Sequence, residues 1–333
     1  MATVKDVARA AGVSLGTVSN VLNGRSSVLP ENREKVYQAM EKLGFQYNMT
    51  ASALRTKSTK NIGLVIPTIV NPYYPELARG VEDGAREVGF TVFLCNSDRK
   101  VEKERQYIDA LLSRGVDGLI LVKTRLPKEE LDQLKSLTAL VLVDYSETSE
   151  ESFYTVNVDD EAGVIQGMEL LLRHGHSRIA FISGYQDAYS SRCRIQAYRD
   201  FLEKNKIPYR AEYVIQGDYG WNSGYSAAKK FLSLDVAPTA IFAANDVMAM
   251  GAIKAILAAG LRVPEDVSVV GYDDIEMSCL STPALTTIHQ PKYRVGIESV
   301  RLLVQNMNGQ IKDEMQILMA TEIVQRESVA KVQ

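Results

Sequence analysis

After residue 60 the chain settles into an alternation that leaves few folds open. "NIGLVIP" is a short apolar run with β-branched residues and reads as a buried strand. "YYPELARGVEDGAREVG" follows as a helix, with Leu77, Val81, Ala85 and Val88 on one face. Strand "FTVFLCNSD", helix "EKERQYIDALLSRG", strand "VDGLILV", helix "KEELDQLKSL" and strand "TALVLVDY" extend the pattern. It restarts with helix "DEAGVIQGMELLLRHG" and strand "RIAFISG", and continues through helix "SRCRIQAYRDFLEKN", strand "YVIQGD" and helix "NSGYSAAKKFLSL". Strand "TAIFAAND", helix "VMAMGAIKAILAAG" and strand "VSVVGYDD" complete the second round. Strands joined through helices pair in parallel, with helices on both faces of the sheet. The predicted class is α/β: two parallel-sheet lobes in tandem with a cleft between them.

Ligands of open parallel sheets sit outside the carboxyl ends of the strands. The candidates are therefore the residues just after each strand: Asn71, Tyr73 and Tyr74, then Ser97 and Asp98, then Asp144. In the second round they are Tyr185, Tyr219 with Trp221, Asn245 with Asp246, and Asp273 with Asp274. Aromatic faces stack on the C–H face of a ring, and Asp or Asn hydrogen-bonds hydroxyls or ring nitrogens. The set suits a polar, non-polymeric ligand such as a sugar or a nucleobase. Asp246 directly precedes a helix and is expected to cap it; Asp273 is expected to contact ligand.

The first sixty residues are of another kind. "AGVSLGTVSNVLNG" contains G-V-S-L-G, which fits the nucleophile elbow of a serine hydrolase, but that elbow needs a buried strand before the serine. Here Val4, Val7, Ala8 and Ala11 recur at helical spacing and no strand precedes Ser14. Ser14 is better placed as the cap of a second short helix, with Gly12 permitting the turn and Thr3 capping the first helix. Two short helices joined by such a turn form a helix-turn-helix. Residues 1–60 hold nine Lys and Arg against four Asp and Glu, a net +5, whereas the whole chain is −3. A basic head on an acidic body implies a polyanionic partner for the head, and with this punctuation that partner is DNA.

Other classes find no support. No apolar run reaches the 18 residues of a membrane span, and the N-terminus lacks the apolar core of a signal peptide, so the expected location is the cytoplasm. A secreted sugar receptor would need such a peptide in place of the basic head. A cleft enzyme would need paired carboxylates or a phosphate loop; no G-x-G-x-x-G, G-x-x-x-x-G-K-[ST] or H-E-x-x-H motif occurs. Neither catalytic residue, cofactor nor metal is expected. Cys95, Cys193 and Cys279 are read as reduced, buried thiols, and His174 and His176 as loop or capping residues.

Several stretches in order, "TVKDVARAAGVSLGTVSNVLNG", "REKVYQAMEKLGFQYN", "ASALRTKSTKNIGLVIP", "PTAIFAANDVMAMGAI" and "DVSVVGYDD" with "TPALTTIHQP", resemble the LacI/GalR family of bacterial transcriptional repressors. The resemblance runs over roughly residues 2–328. It implies a helix-turn-helix headpiece at 1–47, a hinge helix and linker at 48–60, and a two-lobed core like that of periplasmic sugar-binding proteins. The first lobe would comprise 61–159 plus 291–320, and the second 160–290 plus 321–330.

By the same resemblance Leu15, Gly16 and Asn20 would face bases, with Thr17 and Ser19 nearer phosphates and Thr3, Lys5, Ser14 and Asn23 in the same interface. Gly16 departs from the pattern, having no side chain with which to read a base, so the weight shifts to Asn20, which can pair bidentately with adenine. Leu54 would be a minor-groove wedge, although the residues alone favour ordinary burial in a helix. Arg55 and Lys57 would meet phosphates. Tyr73, Tyr74, Asp144, Ser190, Arg194, Tyr219, Asn245 and Asp273 match positions that contact effector. Purine-responding members carry Arg and Thr where Ala188 and Ser190 stand here, which favours a sugar or sugar derivative; Arg192 with Arg194 leaves a phosphorylated or acidic sugar open. The implied assembly is a homodimer or tetramer on double-stranded operator DNA, without membrane.

Overall fold

The computed structural model describes residues 2–22, 28–45, 58–146, 153–309 and 315–332. It divides into a small unit, Met1–Thr59, and a large one, Lys60–Gln333. The predicted hinge segment, with Leu54, Arg55 and Lys57, lies almost wholly outside the described residues, as does Asn23.

In the small unit, α1 (Val4–Ala11), α2 (Leu15–Leu22) and α3 (Pro30–Lys42) pack around one core of Val7, Ala8, Ala11, Val18, Val21, Val28, Val36 and Ala39. A capping box opens α1: Asp6 N donates to Thr3 Oγ1 at 3.3 Å, and Thr3 N donates to the Asp6 carboxylate at 2.9 Å. The box closes the first turn of the helix from both sides. α1 ends at Gly12, whose φ of 66° suits a residue without Cβ. Ser14 Oγ then accepts from Thr17 N at 3.0 Å, so the serine is a helix cap, as expected from the missing strand.

The first sheet of the large unit is built from β1 (Asn61–Ile66), β2 (Thr91–Asn96), β3 (Gly118–Val122), β4 (Ala139–Val143) and β5 (Tyr154–Val158). Helices α4 (Tyr73–Glu87), α5 (Val101–Ser113) and α6 (Lys128–Leu137) connect its first four strands. The second round follows as α7 (Asp160–Arg173), β6 (Ile179–Ser183), α8 (Tyr189–Lys204), β7 (Val214–Gln216), α9 (Trp221–Leu232), β8 (Ala240–Ala243), α10 (Asp246–Ala258), β9 (Ser268–Asp273), α11 (Met277–Leu280) and β10 (Thr286–His289). The chain ends with α12 (Lys292–Met307), β11 (Gln316–Met319) and β12 (Glu322–Val324).

The sheet orders are β2-β1-β3-β4-β5-β11 and β7-β6-β8-β9-β10-β12. Each sheet thus reverses its order beside its first strand, the switch point where such sheets open a crevice. All pairings are parallel except β10 with β12. The chain passes from one sheet to the other three times: between β5 and α7, between β10 and α12, and between β11 and β12.

Four strands, β5, β10, β11 and β12, have no counterpart among the strands read from apolar runs. β10 is "TTIH", too polar to read as core. Its threonines are buried because their hydroxyls find partners: Thr286 Oγ1 accepts from Arg326 N at 2.9 Å, and Thr287 Oγ1 donates to Asp246. β5 and β11 carry polar residues and are only partly buried.

Both lobes lock helices together by the same device. A Cβ on Gly80 of α4 would strike the carbonyl oxygen of Tyr293, and one on Gly296 of α12 would strike that of Leu77. In the second lobe Gly224 of α9 faces the carbonyl of Met248, and Gly251 of α10 that of Trp221. Reciprocal glycines let the backbones touch.

One smaller expectation is corrected. Cys279 is exposed and Cys95 and Cys193 only half-buried, with all three free; Cys279 lies on the four-residue α11, which the sheet does not cover. His176 stands in the loop before β6 and is buried there, with Nδ1 3.0 Å from Thr239 Oγ1 and Nε2 2.9 Å from Ala330 O, pinning the C-terminal segment. His174 does end α7, its Nδ1 lying 2.8 Å from Leu170 O.

Candidate functional site

The carboxyl ends of the strands bring together residues from both lobes. Tyr73 and Tyr74 begin α4, Lys123 follows β3, Asp144 follows β4, Ser190 and Arg194 lie on α8, and Asp273 ends β9. Tyr73, Tyr74, Arg194, Tyr219 and Asp273 line one cavity with Asn71, Lys123 and Gln290. Its volume is about 10 Å³.

Lys123 is the centre of the cross-lobe contacts, and the sequence reading passed over it. Its Nζ lies 2.8 Å from Asp144 Oδ2 and donates to Ser190 Oγ at 3.0 Å. Ser190 N donates to Asp144 Oδ1 at 2.9 Å. Burial works against both charges, but they hold each other: the lysine is raised above its ordinary value and the Asp144 carboxyl lowered below its own. Lys123 stands directly after a strand, the signal used for its neighbours, and would have been found by applying it to β3.

Arg194 is buried against its own lobe. Nε donates to Asp160 Oδ1 at 2.7 Å, Nη1 donates to Ala244 O at 2.6 Å, and the guanidinium stacks 3.6 Å from the Tyr272 ring centre. The residue therefore presents an already paired cation to the cavity. Asp273 has φ 112°, a backbone region that side-chain-bearing residues rarely adopt. Its carboxylate accepts from Gln290 Nε2 at 2.6 Å, and its carbonyl accepts from Lys292 Nζ at 2.7 Å. Burial pushes the Asp273 carboxyl up to about 6. Lys292 also donates to Asp274 O at 3.0 Å and lies 3.4 Å from Glu76 Oε2 of α4, tying the second crossing to both lobes.

The cap expected of Asp246 is made by Asn245 instead. Asn245 is the cap of α10, accepting from Met248 N at 3.0 Å and donating to Tyr219 O at 3.1 Å; Tyr219, and not Asn245, lines the cavity. Asp246 is fully buried and accepts from Ile275 N at 2.9 Å, Ser278 Oγ at 2.7 Å and Thr287 Oγ1. A carboxylate with three donors from later segments is a structural tie, and burial raises it to about 7. Cap geometry depends on which residue has extended backbone, and here that is Asn245.

In the small unit Ser14, Leu15 and Gly16 are exposed, Leu15 by 48%, while Thr17, Ser19 and Asn20 are partly so. They lie on or beside the face of α2 away from Val18 and Val21. The hydroxyls of Ser14 and Thr17 lie 2.9 Å apart, and Thr3 Oγ1 donates to the Asp6 carboxylate at 2.7 Å. Lys5 is exposed on α1.

Comparison with known proteins agrees with both units. The family model "Bacterial regulatory proteins, lacI family" matches residues 3–48, and "Periplasmic binding protein-like domain" matches residues 168–329. Catabolite control protein A of Priestia megaterium is 36% identical over 327 residues, covering 98% of each chain. The chain belongs to the lacI family of bacterial regulatory proteins. A lacI-family relative, the HTH-type transcriptional repressor PurR of Pectobacterium carotovorum subsp. carotovorum (strain PC1), is 37% identical over 333 residues, covering 99% of this chain and 97% of that one. The lac repressor dimer bound to operator and the anti-inducer ONPF superposes with a TM-score of 0.86 at 32% identity, covering 99% of each chain. As a lacI-family member the protein is a DNA-binding transcriptional repressor with a core that binds a small molecule. Among the described residues no group of His, Cys, Asp and Glu is placed to hold a metal, and no helix is long and apolar enough to cross a membrane.

Proposed function

We propose that this repressor governs carbohydrate-metabolism genes in the cytoplasm and is controlled by a sugar or sugar derivative between its lobes. The observation that carries this reading is the cross-lobe set of Tyr73, Tyr74, Tyr219, Asp144, Ser190, Lys123 and Asp273. Rings that can cover C–H faces stand beside charged and hydroxyl groups that bind sugar hydroxyls. Ala188 and Ser190 depart from the purine-responding pattern, in which Arg and Thr occupy those places. The lobes follow 61–159 plus 291–320 and 160–290 plus 321–330. Effector would change the angle between them, and with it the pairing of the 48–60 segments on a pseudopalindromic operator. In the head, Leu15, Gly16 and Asn20 would face bases, and Thr3, Lys5, Ser14, Thr17 and Ser19 the backbone; Asn23, Leu54, Arg55 and Lys57 would complete the interface.

A homodimer is part of the same reading. β2 is an edge strand whose Phe93 and Leu94 are exposed. Beside it lies a groove of about 560 Å³ whose apolar lining, Ile69, Pro75, Ala78, Phe90, Val92 and Leu94, is rimmed by Arg79, Glu82 and Arg86. Val70 is 86% exposed at the same end, and Leu280 is 72% exposed on α11 of the second lobe. Apolar faces of this kind are covered by a second copy.

Two measurements test the proposal. Sugars should raise the melting temperature of the full chain and purine bases should not, because a ligand that binds only the native state stabilises it; the reverse result would replace sugar by purine. Operator binding should weaken steeply with salt as Lys and Arg contacts release counterions. Removing residues 1–59 should abolish it while sugar stabilisation persists.

A further inference from the structure

A second cavity, of about 80 Å³, opens beside the first and shares Lys123 with it. Its charged lining is Arg99, Lys123, Arg125 and Arg192 against Asp144 and Asp187, four cations to two carboxylates. Asp144 is engaged by Lys123 and Ser190. Asp187, at the start of the second lobe's α8, sits between two guanidiniums of the first lobe: Arg99 Nη2 lies 2.7 Å from Oδ1, and Arg125 Nε 2.9 Å from Oδ2.

We propose that Asp187 stands where the effector's acidic group binds, and that a phosphate or carboxylate displaces it from Arg99 and Arg125. The inference rests on the reading of the cleft as the effector site and names the charge of what enters it. Both guanidiniums are oriented independently of the carboxylate they hold. Arg99 lies 3.8 Å over the Tyr185 ring centre, and Arg125 Nη1 donates to Arg99 O at 2.7 Å. Planar forks fixed in this way match a carboxylate or a phosphate through paired hydrogen bonds. Arg192 Nη1 donates only to backbone carbonyls among the described residues, to Asp187 O at 3.0 Å and Gln186 O at 3.5 Å, leaving its charge without a carboxylate partner there.

The 16-residue α8 begins at the cavity with Ala188 at its cap position; Ser190 N is engaged by Asp144 Oδ1, and the helix dipole adds positive potential at this end. The Asp187 side chain is 42% exposed and Arg125 45%, so solvent screens that pair and it is weakly held; Arg99, 18% exposed, holds the carboxylate on the inner side. A ligand anion tethered to a ring in the central cavity would replace it. The exchange converts a tie between the lobes into one made through the effector.

The test needs no knowledge of the natural effector. Full-chain Asp187→Asn and its parent are titrated calorimetrically with inorganic phosphate and with acetate at constant ionic strength. Freed of its internal competitor, the variant should bind one of these anions about tenfold or more tightly than the parent, and adding Arg125→Gln should remove the gain. Which anion responds separates a phosphate from a carboxylate ligand. Equal affinity in variant and parent overturns the proposal. If the Asn variant does not fold, Asp187→Ser serves in its place. A second arm compares neutral sugars with their phosphates and acids on the parent. Charged members should bind more tightly, and Arg125→Gln should close the gap. If neutral members bind as well as charged ones, the anion seat is overturned while the sugar reading stands. If no sugar binds yet anion binding to the variant depends on Arg125, the sugar reading fails while the anion seat holds.

Discussion

Asp273 and Asp246 are carboxylates that the fold would rather keep protonated. Burial raises them to about 6 and about 7, above an ordinary value of 3.8. A group with a raised native pKa holds its proton more tightly folded than unfolded. Its stabilising contribution is complete below about pH 4 and lost as pH rises through about 6. Asp273→Asn, neutral throughout, should therefore melt like the parent near about pH 4 and be more stable by roughly 1–3 kcal/mol near about pH 8. Melting curves across that range check it, and a gap that does not grow with pH counts against buried ionisation. The sequence made Asp273 visible because it ends a strand. It could not tell Asn245 from Asp246, since both can cap and the choice lies in backbone angles. Lys123 carried the same signal at the end of β3; what the sequence alone does not show is that Asp144 and Ser190 are brought against it from other elements.

Helices and strands were legible wherever the apolar period was strong, as in β1, β3 and α4. They were lost where burial is secured by hydrogen bonds instead, as in β10. The reciprocal glycines carry no periodic signal at all, because contact between α4 and α12 joins residues more than two hundred positions apart. That contact yields a prediction. Gly80→Ala drives a methyl group into the Tyr293 carbonyl, and overpacking of this kind costs about 1–3 kcal/mol. Denaturant unfolding should show the loss. Gly16 is the contrast: the nearest atom to a Cβ there would be Ser14 Oγ at 3.6 Å, so packing in the described head does not require a glycine on α2, and the residue is free to be chosen for what α2 approaches.

For the whole molecule, the exposed apolar faces near β2 and α11 set the expected assembly. Leu280→Asp removes an apolar side chain worth about 1.5–3 kcal/mol on burial and places a charge where a second copy would sit. Sedimentation should show dissociation to a single chain of 36.9 kDa, with weaker operator binding in parallel; an unchanged dimer would move the interface elsewhere. The three crossings between the sheets bear on how the protein is made. Both sheets receive their sixth strand only from the last few residues, β11 and β12, whereas the core of the head is complete once Ala39 has been added. Chains emerge from the ribosome N-terminus first and fold unit by unit at about 5–20 residues per second. The reader of DNA is thus finished long before the sensor that commands it. A premature stop anywhere between α12 and β12 would leave that reader intact while unmaking an edge of both lobes, so late nonsense mutations should abolish the response to effector more readily than they abolish the fold of the head.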